Sequence, residues 1–320
     1  MAQTATADGV EDAAAAPDGP KPSRARSRRR RPARRADHPW WFALPALAVF
    51  GVFFLLPNLL NFVYPFTNWS AFHSSIGFTG LSNFRSILHD GSMLRDIRIT
   101  LEYAVLVALF QNGFGLALAL LLEQDTRFNR FFRAAFFLPV LISALAVGYV
   151  FRALLAQDGA LNSLLSTPAG HHVNTPWLGS TTWTLVVTTL IHSWKWMGLA
   201  MLIYLAGLKS MPGDVLEAAR IDGSGAWRTF WSIRFPLLAP AVTFNVTTAL
   251  IGSMNTFDIV QATTGGGPGS ETEVFNIYMF RIFGQGLYAQ ASAMSLVLFL
   301  IVVVLAIPVI VGLRRREQTL

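Results

Sequence analysis

Two groups of residues in this 320-residue chain have more chemical capacity than an apolar scaffold requires. The first lies in Ala206–Pro240, AGLKSMPGDVLEAARIDGSGAWRTFWSIRFPLLAP, a charged interruption between two long apolar segments. There Glu217 can accept charge-assisted hydrogen bonds from another protein's backbone or arginine, while Ala218 and Ala219 let a second surface come close. Asp222 either braces the turn after them or meets a partner directly, and Gly223 supplies the turn itself. The second group sits within apolar segments: His192, Lys195, Trp196 and Leu199 in one, Gly252, Ser253, Asn255 and Thr256 in another. An aromatic face with hydrogen-bonding groups around it suits a polyhydroxylated ring, and ordinary helix packing is the alternative for each residue.

No catalytic constellation accompanies them. The 18 acidic residues form no HExxH, no G-x-S-x-G and no Walker A pattern occurs, and Thr264–Pro268 (TGGGP) lacks the Lys-Ser/Thr of a phosphate loop. Cysteine is absent, which excludes disulfides, thiolate metal sites and cysteine nucleophiles. His171 and His172 have no acidic or cysteine neighbours at ligand spacing, so neither a metal nor a cofactor is expected in this chain.

The scaffold around these residues reads as membrane-embedded. Hydrophobic residues make up 53% and charged residues 13% of the chain, against about 25% charged in soluble proteins. Its mean hydropathy is +0.45. Six apolar segments, near 40–66, 99–122, 134–156, 183–208, 237–260 and 288–313, reach the roughly 20 residues that span a bilayer, which makes the expected class all-α and polytopic. Lys195 then lies about 18 Å into the fourth span, near mid-bilayer. Facing lipid would cost it about 2.5 to 3.5 kcal/mol, so a cavity, a salt bridge or a structural partner is expected.

Of the 25 Lys and Arg, 19 fall in the N-terminal tail, 127–133, the 209–236 loop and the C-terminal end, which are alternate connections. That asymmetry predicts cytoplasmic termini and a cytoplasmic loop. Residues 1–37 cannot bury a core and read as a disordered basic tail whose role is orientation; the charge calls for membrane lipid, not nucleic acid. Glu102 and Arg152, near span ends, read as structural. Within the loop, Pro212 and Asp214 start a helix that Gly223 ends; Ser224 caps a second, which Pro236 stops. Its Trp227, Phe230 and Trp231 share a face expected to pack on the chain's own spans.

The spacing of Glu217, Ala218, Ala219, Gly223, Ile233, Phe235 and Pro236 resembles the EAA signature of membrane subunits of ATP-binding-cassette importers, with Phe235 where the pattern usually has Leu. AGLKSMP at 206–212 and EAARIDG at 217–223 are similar to the carbohydrate-uptake branch of the maltose-permease type. GFTGLSNF (77–84) and RAAFFLP (133–139) add to the likeness, and TGGGP (264–268) favours that permease's first-subunit type. The resemblance runs from roughly Trp40 to Arg316. It implies a type I importer transmembrane domain over 38–316, whose 209–236 loop is a coupling helix docking on an ATPase through Glu217, Ala218, Ala219, Asp222 and Gly223. It implies a heterodimer with a second, homologous permease subunit, two copies of an ATPase that carries ATP and Mg, an extracytoplasmic solute-binding protein, and a sugar as cargo. In that type the sugar site lies on the fourth and fifth spans, where His192, Trp196, Leu199, Gly252, Ser253 and Thr256 fall at matching positions, with Asn255 beside them. The residue types there differ from the maltose permease's. Rivals are the same importer for another solute such as glycerol phosphate, with Lys195 or an arginine serving the phosphate, an ion-gradient-driven transporter, which would not need the loop, and a membrane-embedded enzyme.

Overall fold

The computed structural model describes residues 40–318; the basic tail at 1–37 lies outside the described residues. Contacts divide the chain after Gly51 into two units. The first holds a 3-10 turn, Trp40–Ala43, and helix α1 (Leu44–Phe50). The second is built from α2 (Leu56–Val63), α3 (Ser82–His89), α4 (Ser92–Leu121), α5 (Arg127–Leu141), α6 (Ala144–Leu154), α7 (Ala160–Ala169) and α8 (Thr184–Lys209). It continues with α9 (Gly213–Ile221), α10 (Ala226–Thr229), α11 (Phe235–Leu237), α12 (Ala239–Met254), α13 (Asp258–Thr263), α14 (Phe275–Gly284) and α15 (Tyr288–Gln318). Among the described residues there is no strand, only an isolated bridge between Thr67 and Phe78.

Four stretches, Trp41–Phe66, Ser92–Leu121, Thr184–Lys209 and Tyr288–Arg315, are long and apolar enough to cross a membrane. Two bent pairs raise the number to six if each pair counts as one span. The segment expected as a single third span at 134–156 is α5 and α6, meeting at 101°. Ile142 and Ser143 between them are extended, and Pro139, which has no N–H to donate, precedes the break. The segment expected at 237–260 is not one continuous helix: α12 makes its middle, α10–α11 join it at 69°, and Asn255–Phe257 separate it from α13.

α8 is the centre of the second unit: 56% of its apolar window is buried, against 6% for that of α15. Small residues let its neighbours come close. A Cβ on Gly198 would lie 2.1 Å from the Phe136 carbonyl of α5, and one on Gly115 of α4 would lie 2.7 Å from Ala200 Cβ. Ala119, Ala200, Met201, Tyr204, Leu205 and Leu238 form the core between α4, α8 and the start of α12. Polar groups inside it are paired across helices: Tyr204 donates to Asn112 Oδ1 at 2.7 Å, and Asn245 to the Ala200 carbonyl at 3.2 Å.

Charged residues concentrate at the two ends of α4. At its C-terminus the Arg133 guanidinium donates to the carbonyls of Leu122, Glu123 and Gln124, and Arg234 pairs with Glu123. At its N-terminus Arg95 bonds Asp96 at 2.9 Å and Glu273 at 3.1 Å. Arg281 lies 2.6 Å from the second Glu273 oxygen, an ion pair without hydrogen-bond alignment. Both carboxylates are buried, so the two arginines are what make that burial tolerable. Glu102 pairs with Arg98 on the helix surface at 2.7 Å.

Candidate functional site

The knob between α8 and α12 is a helix with a firm stop. Pro212 is extended and leads into α9, Asp214 sits in its first turn and Arg220 in its last, the signs its dipole favours. Gly223, at φ 71°, donates to the Arg220 carbonyl while Ser224 N–H reaches back to Ala219, a Schellman closure. Glu217, Ala218, Asp222 and Gly223 are exposed. Ala219 faces inward, 5% exposed, so only Ala218 leaves room for an approaching surface.

Three local expectations fail after Gly223. Ser224 does not cap the next helix; Gly225 takes that place with extended backbone, and Ser224 Oγ accepts from Thr229 instead. Pro236 does not stop the run but occupies the first turn of α11, where a missing N–H costs nothing. Trp227 and Trp231 do not pack on the spans: they are 76% and 47% exposed and stack edge-on at 5.6 Å. A π-helical turn at Phe230–Arg234 breaks the 3.6-residue register on which a common inward face depended. On α9, Ile221 is 81% exposed next to Asp222, and exposed apolar side chains of this kind mark a protein interface.

The second group of residues closes on one cavity of about 240 Å³. His192, Trp196 and Leu199 of α8 and Gly252 and Ser253 of α12 bound it, with Asn255 and Thr256 from the turn that follows. Gln111 of α4, Ala144 of α6, and Thr248 and Asp258 add to the wall; Gln111 and Ala144 come from helices other than the fourth and fifth spans, on which the site was expected. Trp196 and Leu199 are half-buried. A Cβ on Gly252 would meet nothing within 4 Å, so that wall is open. Ser253 is fully buried and spends its proton on the Ala249 carbonyl at 2.6 Å. Asn255 donates to Ile251 at 2.8 Å and keeps its amide oxygen. His192 Nδ1 lies 3.1 Å from the hydroxyl of buried Tyr103.

Lys195 does not line this cavity. Its ammonium donates to the carbonyls of Pro139, Val140 and Ile142 at 3.3, 3.1 and 2.7 Å, acceptors at the break between α5 and α6, of which Pro139 also accepts from the Ile142 N–H. It also lies 4.6 Å from the centroid of the Trp196 ring. Among the expected roles it takes the structural one; Pro139 ahead of Ser143 was the signal of a break needing a donor. Among the described residues no three His, Asp or Glu converge as a metal site would require.

An all-helical, multi-pass bundle with a polar and aromatic cavity between two spans, and a charged knob joining those same spans, defines a membrane transport subunit. The model of the family "Binding-protein-dependent transport system inner membrane component" matches residues 111–317, and the chain belongs to that family. It is therefore a multi-pass cell-membrane protein. It is 29% identical to the multiple sugar-binding transport system permease protein MsmF of Streptococcus mutans, over 84% of this chain and 92% of that one. It is 32% identical to the probable starch degradation products transport system permease protein AmyD of Thermoanaerobacterium thermosulfurigenes, over 87% and 94%. Its fold matches a chain of the bacterial alginate ABC transporter solved in complex with an alginate pentasaccharide-bound periplasmic protein, with TM-score 0.74, 21% identity and coverage of 87% and 94%.

Proposed function

We propose that this chain forms half of the translocation pathway of an ATP-driven sugar importer. It pairs with a second, similar permease subunit, two copies of a separate ATPase that binds ATP and Mg, and an extracytoplasmic solute-binding protein. The observation that carries this reading is connectivity: α8 and α12, which wall the cavity, are the two helices the knob joins. A push on the knob therefore acts on the cavity without an intervening loop. Glu217, Ala218, Asp222 and Gly223, with the exposed Ile221 and Trp227, are the ATPase-facing surface, and Ala219 supports them from behind. His192, Trp196, Leu199, Gly252, Asn255 and Thr256 hold the sugar, with Ser253 as packing for that wall. Lys195, occupied by three carbonyls, is not available to a phosphate, and the two relatives described above carry sugar-related names. The concentration of Lys and Arg in alternate connections supports a cytoplasmic side for the termini and the knob. Alternating access follows from rigid helices with discrete packings around a mid-membrane site.

The test is a pull-down of the detergent-solubilised subunit with its ATPase, followed by sugar-stimulated ATP hydrolysis in the assembled complex. Wild type is expected to retain the ATPase and hydrolyse ATP, and Glu217→Arg to lose one or both. ATPase bound to neither protein overturns the reading and moves the ion-driven class to the front.

A further inference from the structure

We propose that Tyr103 is a positioning residue for the cavity, because it holds His192 in the tautomer whose Nε2–H is presented to a substrate oxygen. The proposal rests on the reading of the cavity as the sugar site.

Tyr103 sits on α4, is fully buried among Ile99, Val107, Val260 and Val274, and does not line the cavity. Its hydroxyl lies 3.1 Å from His192 Nδ1, with the two rings edge-to-face at 77°. A neutral imidazole has one N–H and one lone pair, so what Nδ1 does decides what Nε2 offers. A phenol is the stronger donor and the imidazole nitrogen the stronger acceptor, which directs the proton from Tyr103 to Nδ1. The opposite arrangement leaves the phenolic proton to find another acceptor, and an apolar pocket offers few. Tyr103 donates to His192 Nδ1, which leaves the N–H on Nε2 of a residue that lines the cavity. Such an N–H fits a sugar hydroxyl, which accepts from it.

The experiment uses the assembled complex with its ATPase and binding protein. ¹⁵N NMR of the histidine-labelled subunit, with the His192 signals assigned by difference against His192→Gln, reads the tautomer with no sugar present. The expected result is a protonated Nε2 and bare Nδ1 in wild type, and loss of that single state in Tyr103→Phe, which keeps the ring that fills the core. A protonated Nδ1 in wild type, or an unchanged tautomer in Tyr103→Phe, overturns the proposal. Uptake of maltotriose, raffinose and lactose supplies the functional arm. Tyr103→Phe is expected to lower uptake of the transported sugar about fivefold to thirtyfold, the loss of one to two hydrogen-bond equivalents. His192→Gln restores an N–H near the Nε2 position, so adding Tyr103→Phe to it should change uptake little; an undiminished effect overturns the coupling. Gly252→Leu separates the two ideas. If it leaves uptake intact the cavity reading fails, whereas if it blocks uptake while the tautomer ignores Tyr103 only the present proposal fails.

Discussion

A lysine in the middle of an apolar helix invites a functional role, and position decides otherwise for Lys195. Only 2% exposed, it neutralises no carboxylate among the described residues and instead caps a helix end. Removing the ammonium takes their donor from the Val140 and Ile142 carbonyls, away from water, so Lys195→Met should destabilise the subunit by on the order of 2 kcal/mol. Melting of the detergent-solubilised protein checks this, with Lys195→Arg expected to recover part of the loss. A second side chain ties a loop to its neighbour: Tyr278 donates to Asp90 at 2.5 Å. That bond, and a second from Ser92, hold the Asp90 carboxyl below its ordinary value of 3.8. A carboxylate with a depressed folded-state value contributes stability above its unfolded value and loses it as the pH falls through the folded one. The subunit should therefore lose stability below about pH 4, and Tyr278→Phe should flatten that acid limb in a melting series.

Helices explain why the polar residues meet. An apolar run of 23 residues at 134–156 gives no sign of a 101° bend, since hydropathy measures transfer and not direction. The bend brings Ala144 of α6 to the cavity and leaves carbonyls for Lys195. The crossing of α5 and α8 needs the missing side chain at Gly198, where a Cβ would sit 2.1 Å from a backbone oxygen. Backbone cannot rotate away as a side-chain tip does. Gly198→Ala should cost about 1 to 3 kcal/mol and separate the two helices, read as a lowered melting point and weaker uptake. Gly252 is the contrary case, an open glycine on a well-formed helix.

Cavity and knob share α8 and α12, so they should respond as one device in the whole subunit. Gly252→Leu fills the cavity from an open wall. It should abolish sugar-stimulated ATP hydrolysis while the ATPase still co-purifies and the melting point holds; hydrolysis at the wild-type rate would separate the cavity from the coupling. The exposed apolar surfaces of α15 and of Trp227 and Trp231 belong to lipid and to neighbouring proteins, which a chain forming half of a pathway requires. The sequence by itself determined the all-helical membrane class, the family and the knob's helix and stop, because long apolar runs, a helix start and a positive-φ glycine are local properties of a chain. Tertiary structure alone decided that Lys195 is a cap, that Ala219 turns inward while Trp227 turns outward, and that Tyr103 reaches His192. Those facts depend on the angles at which helices far apart in sequence cross, which a pattern of residue types does not encode.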